Sequence, residues 1–384
     1  MKVPVLRIPY SEEEIEIIKK EIELVLRSGF LTMSERVKEF EYLFAKFCGT
    51  KYAIGTNSGT SSMEIVLRSI GIDRSTIIVP SNTYMATPIA VIKAGGRVIF
   101  TECQKENMQI DPEDIERKIQ SDTLGVVVVH IGGIISPHIN KIREICKERN
   151  LFLLEDAAHA HGATIDGKMA GSLGIAGSFS FYPTKVLTTA EGGMVTTNDK
   201  NIYDKSIILR EHGKKDHKFN VHTEIGDNWR FSEIHAVLGI QQMKKAKWII
   251  GERRRIASKY DVFLKEIDEI SPLQIPDNLN PAYYKYIAYL DKRYKRSILK
   301  EILKNKYQVT LPGEVYSDPC HSQPVFNEYP NFVANNSKDE FPVTDYVCRH
   351  HICLPLYPGL TDDEIEYINT SLKGALNEYS SYRR

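Results

Sequence analysis

Four short segments of the 384-residue chain carry side chains able to do chemistry together. Lys185 ends Ser178-Phe179-Ser180-Phe181-Tyr182-Pro183-Thr184-Lys185, just past an apolar strand pattern. Most lysines sit at the surface. One held in a cleft by a strand end can lose its proton and act as an amine nucleophile. Glu155-Asp156 closes the apolar run Leu151–Leu154 and precedes Ala157-Ala158-His159-Ala160-His161-Gly162. Asp156 there is either the N-cap of a following helix or a buried carboxylate facing a cationic ligand. Asn57-Ser58-Gly59-Thr60 joins a strand to a helix, and its small residues let backbone N–H groups and the helix dipole reach a phosphate. The same four residues also make a good helix cap. Glu191-Gly192-Gly193-Met194-Val195 opens the next strand with paired glycines that allow close backbone approach. An amine, a carboxylate, a serine and a glycine-containing helix start together suggest pyridoxal phosphate. That cofactor needs an amine for its aldehyde, an anion for its ring nitrogen and donors for its phosphate.

The elements that must position these groups alternate strand and helix. Tyr52–Thr56, Thr76–Val79, Arg97–Phe100, Leu124–Val129, Leu151–Leu154 and Gly177–Phe181 read as strands. Between most of them lie helical patterns, such as Met63, Val66, Leu67 and Ile70 before Gly71, or Ile139, Ile142, Ile145 and Cys146. Continuous apolar strands between helices predict an α/β fold, a mainly parallel sheet covered on both faces. Ligands of such sheets bind at the carboxyl ends of the strands, where the four segments fall. Ser11-Glu12-Glu13-Glu14 is a capping box before a helix with Ile15, Ile18, Ile22 and Val25 on one face, stopping at Gly29. A large domain over 1–245 and a small C-terminal α+β domain over 246–384 are expected. A long charged helical stretch, Lys244 to Tyr260, leads into the second. There the strand Ala282–Leu290, a basic helix near 292–306 and a last helix opened by Thr361-Asp362-Asp363-Glu364 are expected.

Composition narrows the function classes. Fifty Lys+Arg balance fifty Asp+Glu, which removes the electrostatic case for a nucleic-acid or anionic-membrane binder. The most apolar stretch, Leu124 to Ile135, is broken by His130, Gly132 and Gly133 and is too short to span a bilayer. The N-terminus lacks the long apolar run of a signal peptide, and six cysteines without C-x-x-C spacing read as buried thiols, so a cytoplasmic protein is expected. There is no G-x-G-x-x-G, no phosphate-binding G-x-x-x-x-G-K-[ST], no G-x-S-x-G, and no spacing around His159 and His161 that completes a zinc set, so no metal is expected. His350-His351 reads as structural.

Across nearly its whole length, from about Pro9 to Leu372, the chain resembles the DegT/DnrJ/EryC1/StrS family of sugar aminotransferases. The resemblance rests on NSGTSS (57–62), PSNTYMAT (80–87), EDAAHAHGA (155–163), SFSFYPTK (178–185), EGGMVTTND (191–199), LREHGKKD (209–216), DNWRFSEIHA (227–236) and LPLYPGLTDDE (354–364). It implies the aspartate-aminotransferase fold, fold type I. It also implies that Lys185 anchors pyridoxal phosphate covalently and shuttles the proton, and that Asp156 pairs with the pyridinium nitrogen. His159 would sit beside the phenolic oxygen and the Tyr84 ring would stack on the cofactor, while Gly59, Thr60 and Ser180 hold the phosphate. Asn228 would reach the phosphate of a neighbouring subunit, implying a homodimer with shared active sites. Tyr316 and His321 match a segment lining the substrate entrance; a packed aromatic and a satisfied polar histidine are the alternative.

The implied reaction moves an amino group from glutamate, or glutamine, to a nucleotide-linked keto sugar at C3 or C4, for amino-sugar and surface-polysaccharide synthesis. Three departures stand out. His159 replaces the usual Gln and is able to titrate; Ser34-Glu35 replaces a Gly-Pro; Ala190-Glu191-Gly192-Gly193 replaces Gly-Glu-Gly-Gly. Some relatives that aminate keto-cyclitols carry His at the first of these positions, so a keto-inositol aminotransferase is an alternative. A regulator that retained the fold is a non-enzymatic one. Dehydratases of the family carry His where this chain has Lys185, which favours the aminotransferase.

Overall fold

The computed structural model describes residues 1–216, 219–336 and 340–381. Its centre is a seven-stranded sheet of Tyr52–Thr56 (β1), Thr76–Pro80 (β2), Arg97–Thr101 (β3), Thr123–Val129 (β4), Phe152–Asp156 (β5), Ala176–Ser180 (β6) and Gly193–Thr197 (β7). The spatial order is β1-β7-β6-β5-β4-β2-β3. The run β3-β2-β4-β5-β6 is parallel, and β7 pairs antiparallel with both β6 and β1. Successive strand residues feed opposite layers, as a period of two demands. Ile78, Ile99, Val126 and Val128 pack with Phe40, Phe44 and Ile142 on one face. Ile77, Val98 and Val127 pack with Ile65, Leu67 and Val91 on the other. Burial on both faces explains why the strands read as unbroken apolar runs.

A second, three-stranded antiparallel sheet joins Ile270–Pro272, Tyr286–Leu290 and His351–Leu354. Its core gathers Tyr260, Leu299, Leu303, Leu356 and Ile368, with Val3 from the N-terminus. The helix Glu233–Leu264 connects the two cores. Ala236, Ile240 and Ile249 belong to the first and Ile256, Ala257, Tyr260 and Leu264 to the second. It starts earlier than the charged stretch suggested, because Ser232 caps it through the Ile234 N–H.

The strand expected from Ala282 begins only at Tyr286. Residues 282–285 bond instead to the turn after β4: the Ala282 N–H donates to Gly133 O at 2.8 Å and the Lys285 N–H to Gly132 O at 3.4 Å. Both capping boxes form as read, Ser11 with Glu14 and Thr361 with Glu364. On the first helix only Val25 is buried, whereas Leu24, Leu26, Phe30 and Leu31 in and after it are exposed.

Candidate active site

The carboxyl ends of β5 and β6 open into a cleft of about 410 Å³, within the range of a small-molecule site. Its walls include Ser58, Gly59, Thr60, Asp156, His159, Ser180 and Lys185, which the chain supplies from segments far apart in sequence. Asp156 is the last residue of β5 and is paired with Ser178 of β6. No helix follows it, so the cap reading falls away: residues 157–163 form turns, and Asp156 Oδ1 accepts the Ala158 N–H at 3.2 Å. Its Oδ2 accepts the Thr87 hydroxyl at 2.8 Å. Burial raises the Asp156 pKa, opposed by these two hydrogen bonds and by Lys185.

Lys185 follows β6 at a turn closed by its N–H to Tyr182 O, 2.9 Å. Its Nζ lies 4.8 Å from the centroid of the Tyr284 ring. Burial lowers its pKa to about 8, with Asp156 pulling the other way and Lys285 adding to the fall. An amine poised there changes protonation near neutrality, as a proton shuttle must.

His159 is buried beside Lys185, and burial together with the positive charge of Lys185 pushes its pKa well below the ordinary imidazole value. The titration that a histidine here suggested is therefore suppressed: the ring is neutral. It stacks on Tyr284 at 4.0 Å and on Tyr316 at 5.8 Å, both at 20°. Its Nδ1 is buried with no hydrogen-bond partner among the described residues.

At the other end of the cleft the helix Gly59–Ile70 begins, capped by Ser58 Oγ accepting the Ser61 N–H at 3.1 Å. The cap and the anion-cradle readings of this turn describe the same geometry, since one N–H is capped and the first turn still borders the cleft. A Cβ on Gly59 would stand 2.8 Å from Ser180 Cβ, so only glycine lets this helix start touch the end of β6. The Ser178 hydroxyl ties the two by donating to Gly59 O at 3.0 Å.

The remaining expected residues divide. Tyr84 lines the cleft and is 67% exposed, its ring free to cover a ligand. Tyr316 also lines it. Asn228 is exposed outside the lining of this cleft, its carbonyl accepting from the Asn57 side chain at 3.2 Å. His321 faces a neighbouring cleft, stacked on Phe341 and bonded through Nδ1 to Ser81 Oγ at 2.7 Å.

Sequence reasoning missed Thr87 and Tyr284, which come from distant elements, and also the support behind Asp156. Glu155, the preceding residue, faces the opposite side of β5. There Oε2 meets His130 Nε2 at 2.9 Å and the Gly171 N–H at 2.7 Å, and Oε1 accepts from Leu173 and Gly174 at 2.7 and 2.8 Å. A charged residue inside an apolar strand was the available signal.

These groups fit pyridoxal phosphate. The glycine-tight helix start would hold the phosphate, the Asp156 carboxylate the ring nitrogen, the unpartnered His159 nitrogen the ring oxygen, and Lys185 the aldehyde. No helix among the described residues is long and apolar enough to cross a membrane, and no three His, Cys, Asp or Glu among them gather as metal ligands.

Comparison with known proteins agrees with the geometry. The model of the DegT/DnrJ/EryC1/StrS aminotransferase family matches residues 12–373. The GDP-perosamine synthase of Escherichia coli O157:H7 is 32% identical, over 90% of each chain. The dTDP-3-amino-3,6-dideoxy-alpha-D-galactopyranose transaminase of Aneurinibacillus thermoaerophilus is 31% identical, over 91% of this chain and 93% of that one. In structure, Helicobacter pylori PseC, an aminotransferase involved in the biosynthesis of pseudoaminic acid, superposes with a TM-score of 0.89 at 25% identity, over 99% of this chain and 100% of that one.

Proposed function

Because the chain belongs to the DegT/DnrJ/EryC1/StrS aminotransferase family, we propose that it transfers an amino group from glutamate or glutamine to a nucleotide-linked keto sugar, at C3 or C4. It is a pyridoxal-phosphate-dependent aminotransferase of fold type I; the regulator reading is set aside. Two relatives support the substrate class, one named for GDP-perosamine and one for a dTDP-linked 3-amino sugar. The product would feed amino-sugar and surface-polysaccharide synthesis, in the cytoplasm.

Pyridoxal phosphate, when bound, supplies an aldehyde that captures amines and a protonated ring that withdraws electrons from the bond being broken. In this proposal the protein does the rest. Asp156 is kept as a carboxylate by Thr87 and the Ala158 N–H against the pull of burial, and so keeps the ring nitrogen protonated. Lys185 Nζ would hold the aldehyde end, and its free amine would take up and return the proton of the substrate carbon. Its pKa of about 8 lets it do both near neutral pH. The Gly59 helix start, Thr60 and Ser180 fix the phosphate end. Neutral His159 would meet the ring oxygen without adding charge, and Tyr84 would cover the ring. Asn228 would act across a homodimer, the neighbouring site receiving what its own cleft does not; its exposure and the exposed Leu24, Leu26 and Phe30 support that assembly.

The observation that carries this reading is that Lys185, Asp156 and the Gly59 helix start wall one cleft. Borohydride reduction of the coloured protein followed by peptide mapping should place the cofactor on Lys185. Lys185→Ala should lower complete turnovers by a thousandfold or more, roughly the loss of covalent anchor and proton shuttle together. Label elsewhere, or wild-type turnover in the variant, overturns the assignment. His159 in the place of Gln favours one second reading, amination of a keto-inositol. Incubation with each ketone and measurement of amino transfer separates the two.

A further inference from the structure

Tyr284 had no place in the sequence reading, yet it meets the site at three points. Its ring lies under the Lys185 amine, 4.8 Å from Nζ, and against the His159 ring at 4.0 Å. Its hydroxyl is hydrogen-bonded to Thr184 Oγ1 at 3.1 Å, on the residue before the lysine. The backbone beneath it is clamped. Arg253, 2% exposed, donates to the carbonyls of Tyr283 and Tyr284 at 3.0 and 3.3 Å and to Leu356 O at 3.2 Å. On the other side Ala282 bonds to Gly133, whose own Cβ position would lie 2.8 Å from the Tyr284 nitrogen. A ring fixed at backbone, edge and face has little freedom, so whatever rests on it is fixed as well.

We propose that Tyr284 is a positioning residue, holding the Lys185 side chain by its ring face and the adjoining Thr184 by its hydroxyl, so that the ε-amine is aimed at the cofactor's aldehyde. This rests on the assignment of Lys185 in the proposed function. A lysine has four rotatable bonds and loses considerable freedom when fixed. An aromatic face attracts the amine most strongly in its charged form. When the amine is neutral the face still packs against the side chain and gives its N–H bonds a place to point. The same contact would receive the amine each time the amino donor displaces it during turnover. The second sheet thereby acts on the lysine through the segment 282–286.

The test separates reaction of the amine from occupancy of the site. In the covalent step the neutral Nζ adds to the aldehyde carbon, a C=N bond forms, and the aldehyde oxygen leaves as water; no electrons are gained or lost. Pyridoxine 5′-phosphate has the same ring and phosphate with an alcohol in place of the aldehyde, so it occupies the site without using the amine. The full-length protein, freed of cofactor, is mixed with pyridoxal 5′-phosphate above about pH 9, where the amine is neutral, and uptake is followed by absorbance. Tyr284→Leu is expected to slow uptake about tenfold and Tyr284→Phe about threefold, the range of a lost ring face with its packing and N–H contacts and of one lost hydrogen bond. Affinity for pyridoxine 5′-phosphate should stay within about twofold of wild type in both. Uptake at the wild-type rate in Tyr284→Leu overturns the proposal, as does an equal loss in both measurements, which is what a merely structural role produces. If Tyr284→Leu does not fold, Tyr284→Phe decides alone, and unchanged uptake overturns the proposal. Wild-type protein that binds pyridoxine 5′-phosphate but carries the aldehyde on another residue overturns the Lys185 assignment, and this inference with it.

Discussion

The Thr87 hydroxyl offers the sharpest test of Asp156. It donates to Asp156 Oδ2 at 2.8 Å, and Thr83 Oγ1 lies 2.8 Å from the same hydroxyl. Thr87 has one proton and gives it to the carboxylate, so Thr83 must be the donor in the other bond. Two hydroxyl dipoles in series thus point at one buried oxygen. A hydrogen bond to a charged acceptor contributes about 1.5–3 kcal/mol. At about 1.4 kcal/mol per unit of pKa, Thr87→Val should raise the Asp156 pKa by about one to two units. The direction follows from which form is bonded: losing a donor to the carboxylate favours the protonated acid, adding to the upward push of burial. Once protonated, Asp156 no longer faces the cationic ring nitrogen, and cofactor affinity falls. Spectral titration with pyridoxal phosphate in steps between about pH 4.5 and 8 should show the acid-side loss beginning one to two units higher in Thr87→Val. Thr83→Val should shift it by less than half as much. A folded Thr87→Val protein whose affinity profile superposes on that of wild type refutes the reasoning.

Other expectations follow from the same geometry. His159→Gln should leave the pH profile of the reaction between about 5 and 8 unmoved, because burial already keeps this ring neutral there; a changed limb in that window would show that His159 titrates after all. Glu155→Gln must turn its NH₂ toward existing donors; facing His130 and the Gly171 N–H strands one donor and costs about 1–3 kcal/mol. For a chain of this size that is a fall of about 1–4 °C in the melting midpoint, and an unchanged midpoint contradicts the bonding pattern. His351 is buried with Nδ1 bonded to Val347 O and Nε2 accepting the Val315 N–H, and burial lowers its pKa to about 4. The unfolded chain takes up this proton below about pH 6.5 and the folded one only below about 4, so stability falls as pH drops through that window, by about 3 kcal/mol. His351→Gln should flatten the urea-midpoint profile there; an equal slope in the variant counts against it.

Much of this arrangement was legible because it is local. A strand read from five apolar residues ends where its hydrogen bonds end, and the chemistry sits one or two residues beyond. Asp156 at the end of β5 and Lys185 five residues past β6 are that case. The capping boxes at Ser11 and Thr361 needed only a spacing of three. Asp156 as a helix cap was a sound local alternative, and it fails because the chain turns rather than starting a helix at 157–163; the other carboxylate oxygen meets Thr87, 69 residues away. Tyr284 is 100 residues from its partner Thr184 and reads in sequence as one of several strand aromatics. What removes 282–285 from the strand is the turn at Gly132-Gly133, another contact that no window of sequence contains.

The residues that escaped the sequence share a physical role. Each acts on a chemical group through a second residue: Thr87 on the charge of Asp156, Glu155 and His130 on the backbone behind it, Tyr284 on the aim of Lys185. A reacting group is constrained by its chemistry to a few residue types at a strand end, whereas its support requires only a donor, an acceptor or a flat face at the right point in space, and many residues qualify. The two halves of the chain therefore contribute differently. The central sheet brings amine, carboxylate and phosphate cradle to one edge by its own parallel order, and the segment 282–286 adds the surface against which the amine rests. A substitution in that segment should thus alter how fast the lysine reacts while leaving in place the groups proposed to hold the cofactor's ring and phosphate.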